Sequence, residues 1–220
     1  MNNKELYNKI VKIIDGDKNA PQLLEEIKKE LETEIITNGK INNSIKQAFK
    51  RLQKENDIRP KFQNVLRNGN NNFSITNGYF IITYTAEQLP EELKAYINPN
   101  EKEINDGLQF EKLKNTNELN LLSLNFKLME KVYKYNKLNK RKNVFTLQNG
   151  YTFNLQYFVD ILSLLNYKDI SNITLEIDNT LIHPINILSK NGNGILLPTR
   201  ATEEQISEQL KLQDELLKEI

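Results

Sequence analysis

All eight glycines of this 220-residue chain follow Asn or Asp, in the pairs Asp15-Gly16, Asn38-Gly39, Asn68-Gly69, Asn77-Gly78, Asp106-Gly107, Asn149-Gly150, Asn191-Gly192 and Asn193-Gly194. Both residues of such a pair tolerate positive φ, which type I′ hairpin turns require, so antiparallel strands are expected wherever a pair separates short β-rich runs. The runs are at 61–67, 72–76 and 79–85, then at 173–177. A hairpin follows, in which 181–188 pairs with 195–199 across a loop at 191–194. Leu122, Leu124, Phe126 and Leu128 alternate with Ser123, Asn125 and Lys127, the period of another half-buried strand.

Between these runs the apolar period changes to that of a helix. In 1–36, Leu6, Ile10, Ile13 and Ile14 form one stripe and Leu23, Leu24, Ile27 and Leu31 another, with Pro21 suited to a first turn. Ile45, Ala48, Phe49 and Leu52 give a helix at 44–55, ended by Arg59-Pro60. Asn154 caps a helix at 154–166 that buries Leu155, Phe158, Val159, Leu162 and Leu165 and turns Gln156, Asp160, Ser163 and Asn166 to solvent. Thr202 and Gln205 make a capping box for a terminal helix striped by Ile206, Leu210, Leu217 and Ile220. The polar stretch 86–120 reads as a short helix from Pro90 and a loop, inserted into the sheet. The expected class is α+β, organised as a helical extension (1–36), one domain (37–200) and a C-terminal helix (201–220) that packs on the domain.

Little here suggests catalysis. With no cysteine and the single histidine His183, there is no thiol nucleophile and no His/Cys metal site, and no cofactor is expected. Asp57, Asp160, Asp169 and Asp178 are scattered without metal-binding or acid–base spacing, and no glycine-rich phosphate loop precedes a helix. An enzyme is not expected. No apolar run approaches the roughly 20 residues of a membrane span, and the first residues lack a secretory signal, so a cytoplasmic location without membrane contact is expected.

The formal net charge of +1 conceals an uneven distribution. No acidic residue lies within 131–159, where Lys131, Lys134, Lys137, Lys140, Arg141 and Lys142 are basic. The tail opposes them with Glu203, Glu204, Glu208, Asp214, Glu215 and Glu219. On the 44–55 helix, Lys46, Lys50 and Lys54 recur at i, i+4 and i+8 with Arg51 at their flank, a spacing that follows a phosphate backbone without reading bases. Four such contacts give a salt slope of about −3.6, at roughly −0.9 per phosphate. A solvated helix face is the plain alternative. In 131–142, Tyr133 and Tyr135 interleave with the lysines, as in surfaces that combine phosphate contact with base stacking; an exposed basic loop is the other reading.

Two units of one helix followed by three strands stand out, at 44–85 and 154–199. The first, IKQAFKRLQKENDIRPKFQNVLRNGNNNFSITNGY at 45–79, and the second, FNLQYFVDILSLL at 153–165 through ILLPTR at 195–200, resemble the DNA sliding clamp family, the β subunit of bacterial DNA polymerase III. The likeness is nearest to the family's C-terminal domain, which typically ends in an apolar run and Met-Pro-x-Arg; Leu197, Pro198 and Arg200 stand at those positions. The resemblance implies a single clamp-like domain, a duplicated βαβββ unit of antiparallel sheet whose two helices line a hole. It also implies a scaffold for DNA replication or processivity on double-stranded DNA, a homo-oligomer, and a cleft for a polymerase or repair-protein peptide with Ile195, Leu197 and Pro198 as one wall. Family chains carry three such domains and this one has room for one. A clamp-derived interaction module that binds a replication or host protein without encircling DNA is therefore the alternative.

Overall fold

The computed structural model describes residues 3–16, 18–24, 26–27, 44–68, 71–97, 116–120, 124–165, 173–178 and 182–220. The protein is α+β. Its helices are α1 (Asn3–Ile14), α2 (Ile45–Glu55), α3 (Glu91–Lys94), α4 (Phe126–Leu138), α5 (Leu155–Leu164) and α6 (Glu203–Leu217). Its strands are β1 (Leu66–Asn68), β2 (Asn72–Thr76), β3 (Phe80–Thr85), β4 (Thr116–Asn120), β5 (Val144–Thr146), β6 (Thr152–Asn154), β7 (Ile173–Asp178), β8 (Ile185–Ser189) and β9 (Gly192–Leu196).

Seven strands form one sheet in the order β1-β2-β3-β9-β8-β7-β4, every neighbouring pair antiparallel, while β5 and β6 form a separate hairpin. The order is close to a palindrome. α2 leads into the meander β1-β2-β3 and α5 leads into β7-β8-β9, and the last strands of the two meanders pair at the centre, Phe80 opposite Leu196. The segment 116–120, expected within an inserted loop, instead supplies β4 at the sheet's edge, paired to β7.

One cross-strand row explains how a helix seats on this sheet. Ile75, Ile82, Gly194, Ile187 and Leu175 are successive partners across β2, β3, β9, β8 and β7, and the four large side chains are at most 1% exposed. A Cβ on Gly194 would stand 2.9 Å from Ile161 Cγ2, so the missing side chain is what lets α5 lie against the middle of the row. The C-terminal carbonyls of α5 are satisfied from the sheet side, because Tyr84 Oη donates to the Leu164 carbonyl at 2.9 Å and Asn191 Nδ2 to that of Leu165 at 3.0 Å. Burial drives the Tyr84 hydroxyl pKa upward, so it remains a donor.

The Asn-Gly pairs mark turns through their side chains as much as through the backbone. Asn77 Oδ1 accepts from the N–H groups of Tyr79 (3.0 Å) and Phe80 (3.1 Å), with Gly78 at φ 85°, and Asn149 Oδ1 accepts from Tyr151 N–H (3.1 Å), with Gly150 at φ 86°. The last hairpin differs from expectation. Ser189 pairs with Gly192, so Lys190 and Asn191 are the turn, and Gly192 and Gly194 are strand residues that the core leaves no room to enlarge.

Four further expectations are corrected. The period-two run at 122–128 does not continue as a strand, since Asn125 Oδ1 caps α4 by accepting from Leu128 N–H at 3.0 Å. Leu124, Phe126 and Leu128 are all buried, but Met129 and Val132 extend the buried set at helical spacing; residues 121–123 lie outside the described ones. At 61–67, Pro60–Gln63 is a 3-10 turn, and the strand begins only at Leu66. α6 does pack on the domain, through Leu212, Gln213 and Leu216, whereas Leu217 and Ile220 of the expected stripe are exposed. Gln213 fixes the register by docking as a substitute strand: its Oε1 accepts from Thr146 N–H (2.9 Å) and its Nε2 donates to the Thr146 carbonyl (2.8 Å), closing the open edge of β5. In the N-terminal extension, Ile10 and Ile14 of α1 are exposed, while Leu31 lies outside the described residues.

Candidate nucleic-acid interface

Ser44 starts α2 with a capping box, its hydroxyl accepting from Gln47 N–H and the Gln47 side chain accepting from Ser44 N–H, both at 3.3 Å. Ala48, Phe49 and Leu52 bury one face. On the opposite face Lys46, Lys50 and Lys54 are exposed, about 6 Å of helix rise apart at each step, and none is in an ion pair among the described residues.

Arg51 does not join that stripe. It turns toward α5, where its Nε donates to Asp160 Oδ1 at 3.1 Å and its Nη2 forms an ion pair with the same oxygen; Gln156 Nε2 adds a third donor at 3.1 Å. The Asp160 side chain is only 3% exposed and that of Arg51 34%. Burial pushes the Asp160 carboxyl up to about 6, with Arg51 and Gln156 pulling it back and nearby Glu55 adding to the rise. The expectation that Asp160 and Ser163 face solvent is therefore corrected. α5 is covered by α2, the sheet and the β5–β6 hairpin, eight of its ten residues are buried, and Ser163 Oγ donates to the Val159 carbonyl at 2.8 Å. Only Gln156 and Tyr157 remain half-exposed, so α5 presents no cation. At the far end of the helix pair Tyr157 stacks on Tyr79, ring centroids 5.7 Å apart.

The basic run 131–142 is a helix and its C-cap rather than a loop. The acidic tail neutralises Lys131 through Glu219 (3.1 Å), and Lys134 pairs with Glu130 one turn earlier on α4 (2.7 Å). Lys137, Lys140 and Lys142 are exposed without an ion pair among the described residues. α4 ends in a Schellman motif, Arg141 N–H to the Asn136 carbonyl at 2.8 Å and Lys140 N–H to that of Lys137 at 3.4 Å, which holds Lys140 in the left-handed region at φ 52°. Tyr133 and Tyr135 are half-buried against the core, and Arg141 lies 5.7 Å over the Tyr135 ring.

Leu197, 44% exposed, and Pro198 line an open groove of about 620 Å³ together with Ile182, Ala201 and Ile206. Ile195 is not part of it. The groove opens past the end of β9, whereas Ile195 lies within the sheet between Ile81 and Asn186. The Arg51–Asp160 bond is the contact that sequence reasoning missed. Its partners are 109 residues apart, and nothing local to either signals the other.

Among the described residues no group of three or more His, Cys, Asp or Glu is arranged to hold a metal ion, and no helix is long and apolar enough to cross a membrane. Comparison with protein-family models, with curated proteins and with solved structures found no match.

Proposed function

We propose that this chain is a clamp-like scaffold that holds double-stranded DNA through backbone phosphates, using the Lys46, Lys50, Lys54 face of α2. The observation that carries this reading is the near-palindromic sheet. Two helix-plus-meander units are joined through β3 and β9 with their helices in contact, an arrangement that supports this reading. One member of the helix pair then carries three cations at helical pitch, none in an ion pair among the described residues, suited to tracking a polyanion without reading its sequence.

A second reading, a clamp-derived module that binds a replication or host protein, draws on two particular features. α5 contributes no cation beside α2, and the groove at Leu197 and Pro198 is apolar. Loading on a closed plasmid followed by linearisation separates the two. A scaffold that encircles DNA is a ring-sized oligomer by light scattering, stays on the circle and leaves after the cut; a module is monomeric and shows the same weak binding, or none, on both forms.

A further inference from the structure

A pocket of about 270 Å³ opens between the turn after α4 and the start of α6, and Arg141, Lys142 and Arg200 all line it. These cations come from two distant stretches of chain, and none of them is in an ion pair among the described residues. Glu208 lines the same pocket, which leaves two positive charges in excess. Like charges gathered around a concavity repel one another until an anion enters. The rim is preformed. Arg141 rests on the Tyr135 ring, and Thr199 is tied down by its N–H bond to the Thr152 carbonyl at 2.8 Å.

We propose that this pocket binds a phosphate monoester, whose charge of nearly −2 at neutral pH matches that excess. The Thr199 hydroxyl takes part in no hydrogen bond among the described residues and is the neutral donor on the rim, whereas Thr146 and Thr152 are occupied with each other at 2.9 Å. The capping box of Thr202 and Gln205 uses N–H groups at the start of α6, so the attraction comes from side chains rather than from the helix end. A phosphodiester carries a single charge and would leave the excess half neutralised, which separates this site from backbone contacts along α2. A nucleoside 5′-monophosphate and the 5′-phosphorylated end of a DNA strand share the required chemistry.

Titration of the isotope-labelled full chain with a nucleoside 5′-monophosphate at pH 8, followed by amide NMR, tests the site. Shifts should concentrate at Thr199, Arg200, Ala201 and Arg141, be absent with the parent nucleoside, and weaken as pH falls through about 6, where the monoester takes up a proton. Arg200→Gln should weaken binding roughly tenfold, the equivalent of one charge-assisted hydrogen bond. Glu208→Gln should tighten it, and Lys46→Gln with Lys50→Gln should leave it unchanged, so the pocket stands or falls apart from the α2 stripe. Preference for a 5′-phosphorylated oligonucleotide over its dephosphorylated twin identifies a DNA end as the source; equal binding of the two identifies the free nucleotide. Equal affinity of wild type and Arg200→Gln, or shifts with the nucleoside alone, would overturn the proposal.

Discussion

Arg51→Met should destabilise the protein by an amount that depends strongly on pH. Asp160 has its folded-state pKa raised above the unfolded value of 3.8, to about 6. A carboxyl shifted in that direction favours folding most below the unfolded value, and the advantage is lost as pH rises through about 6. In the wild type Arg51 limits that loss, because its hydrogen bonds and charge favour the carboxylate. Without Arg51 the carboxylate is buried with Gln156 as its remaining donor. Breaking a buried pair in this way costs about 3–5 kcal/mol, and the Arg51 side chain is a third exposed, which places the expected loss at about 3 kcal/mol at pH 8. At pH 5 Asp160 is protonated in the variant and the loss should fall to about 1 kcal/mol, mainly that of the packing. Urea denaturation of the wild type, Arg51→Met, Asp160→Asn and the double variant at both pH values reads this directly. Asp160→Asn in the Arg51→Met background should restore most of the pH 8 stability, since it removes the unpaired charge. A loss equal at pH 5 and pH 8, or no rescue by Asp160→Asn, would refute the reasoning.

Other perturbations test the docking of individual elements. Gln213→Ala leaves the buried N–H and carbonyl of Thr146 without partners and should cost about 2–3 kcal/mol by chemical denaturation, with faster hydrogen exchange at β5. Gly192→Ala places a side chain at φ 138° with a Cβ 2.9 Å from Tyr84 Cδ1 and 3.0 Å from the Thr83 carbonyl oxygen, so the thermal midpoint should drop by more than Gly16→Ala lowers it, where the added Cβ meets nothing within 4 Å. Lys140→Gly relieves a left-handed residue at the end of α4 and should stabilise by about 1 kcal/mol.

The parts of the fold legible in the sequence were those with local causes. The Asn77-Gly78 turn placed β2 beside β3, and the caps at Asn154 and Thr202 started helices that the structure contains, whereas the short β5–β6 hairpin around Asn149-Gly150 was not expected, its strands being only three residues each. Leu124, Phe126 and Leu128 misled because three buried residues at alternate positions also fit a helix buried over a wide arc, and only Met129 and Val132 beyond them distinguish the two. Arg51 was assigned to the lysine stripe because helical position alone cannot reveal a carboxylate arriving from another helix. Gln213 on the buried face of α6 was missed for a related reason, since it is polar and is buried where β5 offers it a backbone pair; Leu212 and Leu216 beside it are apolar but lie off the stripe of Ile206, Leu210, Leu217 and Ile220. The Lys46, Lys50 and Lys54 stripe was legible in full, as it depends on helical pitch alone.

The salt dependence of binding to a non-specific DNA duplex tests that stripe most directly. Because Arg51 is held by Asp160, three contacts remain on α2 in place of four. Lys46→Gln, Lys50→Gln and Lys54→Gln together should therefore flatten the slope of log K against log salt by about 2.7, at roughly 0.9 per phosphate. The folded double variant Arg51→Met with Asp160→Asn should keep the wild-type slope. An unchanged slope in the triple-lysine variant, or a loss of about one unit on replacing Arg51, would contradict the account.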